Sequence, residues 1–228
     1  MKILITRPEP EATALCQAIE ALGHEGVCLP LLEIQFLDWT CPDAWNEIEG
    51  VIFVSKNAVR GFGARASLQE KLLFAVGPGT AALLQDQGFS VIYPKHAGGS
   101  EALLKLPSLQ TLPLKRVAVV KGNAGRVEIE AHLRARGLQV ETLCVYQVRR
   151  AVLNVAQQRL FKRSYDLVIV TSLDALRYAC ELGLSPHQVV SILSPNMLKY
   201  ALAQGLMRFF HLTLGSNEEI LSKIKDMV

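Results

Sequence analysis

Val51-Ile-Phe-Val-Ser55 and Val168-Ile-Val-Thr-Ser172 are two apolar runs that each stop at a hydroxyl, and they lie 117 positions apart. The same offset carries Phe74-Ala-Val-Gly-Pro78 onto Ser191-Ile-Leu-Ser-Pro195 and Gly88 onto Gly205. A second offset, 114, lays the segment from Ile3 to Leu22-Gly23 over that from Val117 to Arg136-Gly137. Two β-α units resemble one another easily, but an ordered set sharing offsets points to duplication. The chain reads A, B, C, A′, B′, C′.

Working outward, short apolar runs at Ile3 to Ile5, Val51 to Val54, Phe74 to Val76, Val117 to Val120, Leu167 to Val170 and Val189 to Leu193 each precede an amphipathic stretch. That alternation belongs to parallel sheets, whose strands are covered on both faces. Helices are expected over Glu9 to Leu22, Thr80 to Gln87 and Arg126 to Arg136, each ending at a glycine suited to a C-cap, at Gly23, Gly88 and Gly137. Repeat order alone suggests a tandem split near Leu114. An exchanged arrangement, with A joined to B′ and C′ while B, C and A′ form the other domain, is the alternative that periodicity does not decide. Two extended apolar segments, Leu29 to Phe36 and Glu141 to Val148, follow the A and A′ units and suit paired linker strands, with Asp38 to Pro42 and Arg149 to Leu153 bounding a middle domain.

The chain has 228 residues, half of them hydrophobic and a fifth charged, enough for a substantial core and room for two small domains. A net charge of +3 is too small to mark a nucleic-acid binder, yet it would not repel a polyanionic small molecule. Five scattered cysteines without a C-x-x-C pair indicate neither a disulfide framework nor a zinc site, and they read as reduced thiols packed in the interior. His24 and Cys28 lie four apart, but Gly23 and Gly26 break any helix that would align them as ligands. The opening Met1-Lys-Ile-Leu-Ile-Thr-Arg7 is too short an apolar run for a signal peptide, and no later run reaches membrane-spanning length. A soluble cytoplasmic protein without metal or cofactor is expected, acting as a monomer without nucleic-acid or membrane partners.

In parallel sheets ligands collect at the carboxyl ends of strands, where helix N-termini present unpaired N–H groups to an anion. The candidates are Thr6, Arg7, Ser55, Lys56, Asn57, the Gly77-Pro78-Gly79-Thr80 turn, Ser100 after Gly98-Gly99, Lys121-Gly122-Asn123 with Arg126, Thr171, Ser172, Ser194 and Asn196. A lone Ser, Thr or Asn at such a place is as readily an N-cap. Clustered glycines say more, because they let backbone amides approach a carboxylate closely. Gly77-Pro-Gly-Thr-Ala-Ala82 lacks the third glycine of a dinucleotide fingerprint and no Gly-Lys-Ser/Thr occurs, which disfavours nucleotide binding. Spacing assembles no Ser-His-Asp set, no paired carboxylates and no metal cluster. Arg134 and Arg136 read as an exposed basic face, and the histidines as mostly solvated.

These junctions resemble, in order and across nearly the whole chain, the motifs of the uroporphyrinogen-III synthase family: Leu4-Ile-Thr-Arg-Pro8, Phe53-Val-Ser-Lys-Asn-Ala-Val59, Ala75-Val-Gly-Pro-Gly-Thr-Ala81, Lys121-Gly-Asn-Ala-Gly-Arg126, Val145-Tyr-Gln147 and Val170-Thr-Ser172. Each is short; the series is what is specific. The resemblance implies an α/β fold of two flavodoxin-like parallel-sheet domains joined by a two-stranded β linker, residues 1–35 with 153–228 forming one domain and 38–148 the other, the linker strands lying at about 30–37 and 144–152. It implies no cofactor, and hydroxymethylbilane as substrate, a linear tetrapyrrole bearing carboxylates on every ring and bound in a cleft between domains. By the family mechanism ring A loses its hydroxyl, ring D attacks through its substituted carbon, and a spiro intermediate recloses inverted with loss of water. The bilane closes unaided to the uninverted isomer, so the protein mainly has to orient ring D. Tyr146 matches the family's cleft tyrosine, implying a hydrogen bond or proton to the departing hydroxyl; a tyrosine that merely anchors the linker is the plainer alternative. The chain departs from the family at Ser194-Pro195-Asn196-Met197, where Gly-Pro-Thr-Thr is common, and at Lys121, where Arg is usual. A two-domain binder of an anionic metabolite, or a relative without catalysis, would keep the same glycine loops.

Overall fold

The computed structural model describes residues 1–95, 99–124 and 127–227. Along them run β1 (Lys2–Ile5), α1 (Glu11–Ala21), β2 (Glu25–Cys28), β3 (Leu32–Phe36), β4 (Gly50–Phe53), α2 (Lys56–Phe62), β5 (Leu72–Ala75), α3 (Pro78–Gln85), β6 (Val91–Ile92), α4 (Ser100–Leu104), α5 (Pro107–Thr111) and β7 (Arg116–Gly122). There follow α6 (Glu128–Ala135), β8 (Gln139–Arg150), α7 (Val155–Phe161), β9 (Leu167–Ile169), α8 (Leu173–Glu181), β10 (Val189–Ile192), α9 (Pro195–Ala203), β11 (Arg208–His211) and α10 (Asn217–Lys225). The chain divides into two compact units, Met1–Glu33 with Arg149–Val228, and Ile34–Val148. The boundaries fall inside β3 and near the end of β8.

The first unit holds a sheet of order β2-β1-β9-β10-β11, and the second one of order β3-β8-β7-β4-β5-β6. In terms of the repeats, the first reads A, B′, C′ and the second A′, B, C, each flanked on the A side by the strand that follows it. The tandem split near Leu114 is therefore not what the strands adopt: β1 pairs with β9 in parallel, and β7 with β4. Both edges of a parallel apolar strand are equally ready to pair, so the run itself does not name its neighbour.

Burial on both faces explains the continuous apolar runs. In the second unit Val51, Phe53, Ala118 and Val120 face one core cluster while Ile52, Phe74, Val117 and Val119 face another. In the first, Leu4, Val168, Val190 and Ile192 face one and Ile3, Ile5, Leu167 and Ile169 the other. Helices cover these faces with the stripe their period dictates: α1 buries Ala12, Leu15 and Ile19, and each fully buried Leu or Ile contributes about 1.5–3 kcal/mol. α1 stops because Gly23, at φ 79°, turns left-handed and lets Gly23 N–H and His24 N–H bond Glu20 O and Ile19 O.

Two expectations need correction. The helix bounds differ from those read, since α1 starts two residues after Glu9, α3 lies two residues earlier at both ends, and α6 starts at Glu128. The cysteines are half-buried rather than interior, all five with free thiols; burial and then Glu9 push the Cys28 thiol up to about 11. The edge strands β2, β6 and β11 went unread because none presents a run of buried apolar residues.

Candidate functional site

In the second unit the carboxyl ends of β4, β5, β7 and β8 bring together several of the candidates. β4 ends at Phe53, and Ser55 then caps α2, its Oγ accepting Ala58 N–H at 3.0 Å. The same Oγ lies 3.0 Å from Tyr146 Oη. Tyr146 reaches it because β8 is bulged: Lys121 pairs with Cys144 but Gly122 with Tyr146, so one extra residue sits on β8. A bulge re-aims the side chains that follow it. Val145 and Tyr146, although adjacent, both pack on the same core cluster.

Gly122 supplies the platform for this ring. A Cβ there would stand 2.8 Å from Tyr146 Cε2 and Cζ, closer than any side chain tolerates. The backbone is pinned beside it, Asn123 N–H donating to Tyr146 O at 3.0 Å. Asn123 Nδ2 donates to Gln147 Oε1 at 3.3 Å, and Gln147 Nε2 to Gln35 Oε1 at 2.8 Å. This amide ladder was missed from sequence, because Gln35 and Gln147 are 112 positions apart and neither type signals a site alone.

The Gly77 turn lies nearby. Gly77 caps α3 without a side-chain partner and Pro78 opens the helix, where its missing N–H costs nothing. A Cβ on Gly79 would meet Lys56 Cε at 3.1 Å, so Lys56 lies across this turn. Thr80 is buried, Ser100 opens α4, and Asn57 Oδ1 accepts from Arg60 Nη1 at 3.1 Å.

Lys121 turns away from this group. Its side chain is 4% exposed and donates to Glu130 Oε1 at 2.7 Å, inside the unit. Among the described residues Glu130 Oε2 has no partner, which an arginine's second donor could supply. Arg126 lies outside the described residues.

In the first unit several of the candidates make contacts within the fold. Thr6 Oγ1 is buried and donates to Ile169 O at 2.8 Å, joining β1 to β9. Arg7 Nη1 donates to Gly215 O at 2.9 Å and Asn217 Oδ1 at 2.5 Å. Burial lowers the Arg7 guanidinium below its ordinary value, against the raising effect of Glu11 and Glu218. Ser172 and Ser194 cap α8 and α9, accepting Ala175 N–H at 3.2 Å and Met197 N–H at 3.3 Å. Thr171 is half-buried at the end of β9, and Asn196 is exposed in the first turn of α9.

Cavities of about 650 Å³ in the first unit and 670 Å³ in the second lie at the opposite, amino ends of their sheets, beside Lys162, Asp166 and Arg208 in one and Glu49 and Lys71 in the other. Ligands of open parallel sheets sit at the carboxyl ends, so the polar convergence around Tyr146 is the stronger candidate. Among the described residues no three His, Cys, Asp or Glu side chains are grouped to hold a metal ion. No helix there is long and apolar enough to cross a membrane.

The chain resembles known proteins in sequence and in fold. The family model described as uroporphyrinogen-III synthase HemD matches residues 13–205. The chain is 33% identical over 195 residues to a uroporphyrinogen-III synthase of Salmonella typhimurium strain LT2, covering 78% of either protein. It is 31% identical over 194 residues to that of Escherichia coli strain K12, with the same coverage. The solved structure of uroporphyrinogen-III synthetase from Helicobacter pylori 26695 covers 100% of this chain and 99% of its own, at a TM-score of 0.68 and 16% identity, a likeness of fold. With a family model spanning most of its length and a relative of 33% identity over 78% of it, the chain belongs to the uroporphyrinogen-III synthase family.

Proposed function

We propose that this protein cyclises hydroxymethylbilane to uroporphyrinogen III, inverting ring D and releasing water, in tetrapyrrole biosynthesis. The observation that carries the reading is the Tyr146 hydroxyl held 3.0 Å from Ser55 Oγ above Gly122, at the carboxyl ends of the second unit's strands. Tyr146 serves as the acid. The ring A C–O bond breaks with its electron pair leaving on oxygen, and the Tyr146 proton completes the departing water. Ring D then attacks through its substituted carbon, and the spiro intermediate fragments and recloses. The proton released at the final closure returns to the phenolate, so one water is lost and the tyrosine is regenerated. The chain's own residues need supply no redox step or covalent intermediate, because their task is to hold ring D where solution does not favour it.

Carboxylates of the substrate engage backbone amides and small polar groups at the Gly77 turn, Ser100, Gly122-Asn123, Thr171-Ser172 and Ser194-Asn196, with Lys56 as counter-charge; Thr6 and Arg7 shape their loop. The same reading takes the two units as flavodoxin-like domains, 1–35 with 153–228 and 38–148, joined by paired linker strands, in a cytoplasmic monomer that uses no cofactor. The flavodoxin-like part of this reading is supported by the strand order β2-β1-β9-β10-β11, the flavodoxin order of 2-1-3-4-5. The test is to supply freshly generated hydroxymethylbilane, oxidise the products and separate type I from type III uroporphyrin. Dominant type III is expected. Type I alone would overturn the reading and leave a binder without catalysis.

A further inference from the structure

We propose that Ser55 is the positioning residue of this reaction, its hydroxyl holding Tyr146 with the phenolic hydrogen turned outward to the leaving group. The proposal rests on the reading of Tyr146 as the acid.

A phenol has one hydrogen. If Tyr146 spends it on Ser55 it has none to give, so donating to substrate requires it to accept from Ser55 instead. Ser55 is set up for that role. Its Oγ already accepts Ala58 N–H at 3.0 Å, leaving its own hydrogen for the Tyr146 oxygen 3.0 Å away. The resulting series runs from Ala58 N–H to Ser55 O–H to Tyr146 O–H to the departing hydroxyl, and each donation polarises the next. When the proton has gone, the retained Ser55 donation stabilises the phenolate left behind.

Helix capping does not explain the contact. Ser172, Ser194 and Ser216 cap their helices in the same way, accepting N–H groups at 3.2, 3.3 and 3.2 Å. Among the described residues none of these three hydroxyls meets a tyrosine, whereas Ser55 does. The Tyr146 ring is meanwhile held against the Gly122 backbone, where a Cβ would come within 2.8 Å of it. Ring position is thus set by Gly122, and hydroxyl direction by Ser55.

A double-mutant cycle on the full chain, reading kcat, KM and the type III to type I ratio, separates positioning from capping. Ser55→Ala is expected to lower kcat about tenfold in the parent, with KM within about twofold, and less than about twofold in a Tyr146→Phe background. Ser55→Thr, which keeps both cap and donor, restores kcat. Ser55→Asn caps and can donate through its amide, so it retains more kcat than Ser55→Asp, which caps but cannot donate. Thermal melts of each variant register the loss of the cap. An equal kcat loss in both backgrounds, or Asp matching Asn, overturns the positioning role while leaving the synthase reading intact. Unchanged kcat in Tyr146→Phe overturns the acid assignment and this proposal with it, and a parent yielding only type I overturns the function itself.

Discussion

The two units share a strand order but use their loops differently. In the second, Ser55, Gly122 and Tyr146 converge through contacts that secondary structure does not require, and Lys56 lies across Gly79. In the first, the equivalent ends of β1, β9 and β10 are tied into the fold: Thr6 bonds a neighbouring strand, Arg7 bonds the turn before α10, and Ser172 and Ser194 cap helices. Duplication reproduces the scaffold and its caps. The second unit departs from the pattern through a bulge in β8 that sets an aromatic hydroxyl against a cap. Even there polarity is not enough, since Lys121, one residue from the convergence, points inward to Glu130.

That contrast can be attacked first at Lys121. Lys121→Ala would strand the Glu130 carboxylate, 2% exposed, and should cost about 3–5 kcal/mol in denaturant unfolding of the second unit. A variant that stays folded but binds substrate weakly would instead return Lys121 to the site. Lys121→Arg, offering a second donor to Glu130 Oε2, should be tolerated or stabilising.

Gly215→Ala probes the first unit. With φ at 65° and a Cβ that would overlap Leu193 Cδ2, it combines left-handed strain with overpacking, and about 2–4 kcal/mol of destabilisation is expected by calorimetry. A kcat loss without a change in melting temperature would show that the Arg7 loop does more than hold structure. Gly122→Ala tests the other side: its Cβ displaces the Tyr146 ring, so kcat should fall at least about tenfold with the fold retained. Full activity would remove the platform argument.

Smaller effects separate cap from site. Ser172→Ala and Ser194→Ala should each cost about 1 kcal/mol, the loss of an N-cap. A kcat drop of the size expected for Ser55→Ala at either position would erase the asymmetry between the units. The smallest effect is a pH dependence at Glu219. Burial works to raise this carboxyl, but N–H groups of Thr213, Leu214 and Gly215 at 2.6, 2.8 and 2.7 Å outweigh it and hold the group below the usual range. A value depressed in the folded state gives stability that is present above the unfolded carboxylate value, about 4.3, and is lost as pH falls through the folded one. Melts from pH 7 to 3 should show a shallower acid decline in Glu219→Gln, and identical slopes would discount these bonds.

Legibility followed burial. The central strands could be read because two covered faces demand unbroken apolar runs, as at Gly50–Phe53 and Leu167–Ile169. β6, two half-buried residues, left no such trace. The Asn154-x-x-Gln157 capping box of α7 was present as a signal but passed unread. At the site, residue types were legible and their partners were not. Nothing local links Ser55 to Tyr146, 91 positions away, or tells a lysine facing solvent from one buried against Glu130.

By itself the sequence determined that the protein is a duplicated α/β chain whose polar residues gather at strand ends, because burial, capping and glycine conformation are local demands that each segment meets alone. Only the tertiary structure decided that A pairs with B′ and A′ with B, and that the β8 bulge brings Tyr146 over Gly122 to Ser55. Strand edges present the same backbone hydrogen-bonding groups whatever their side chains, so the choice of neighbour, and every contact that follows from it, belongs to the packing of the whole unit.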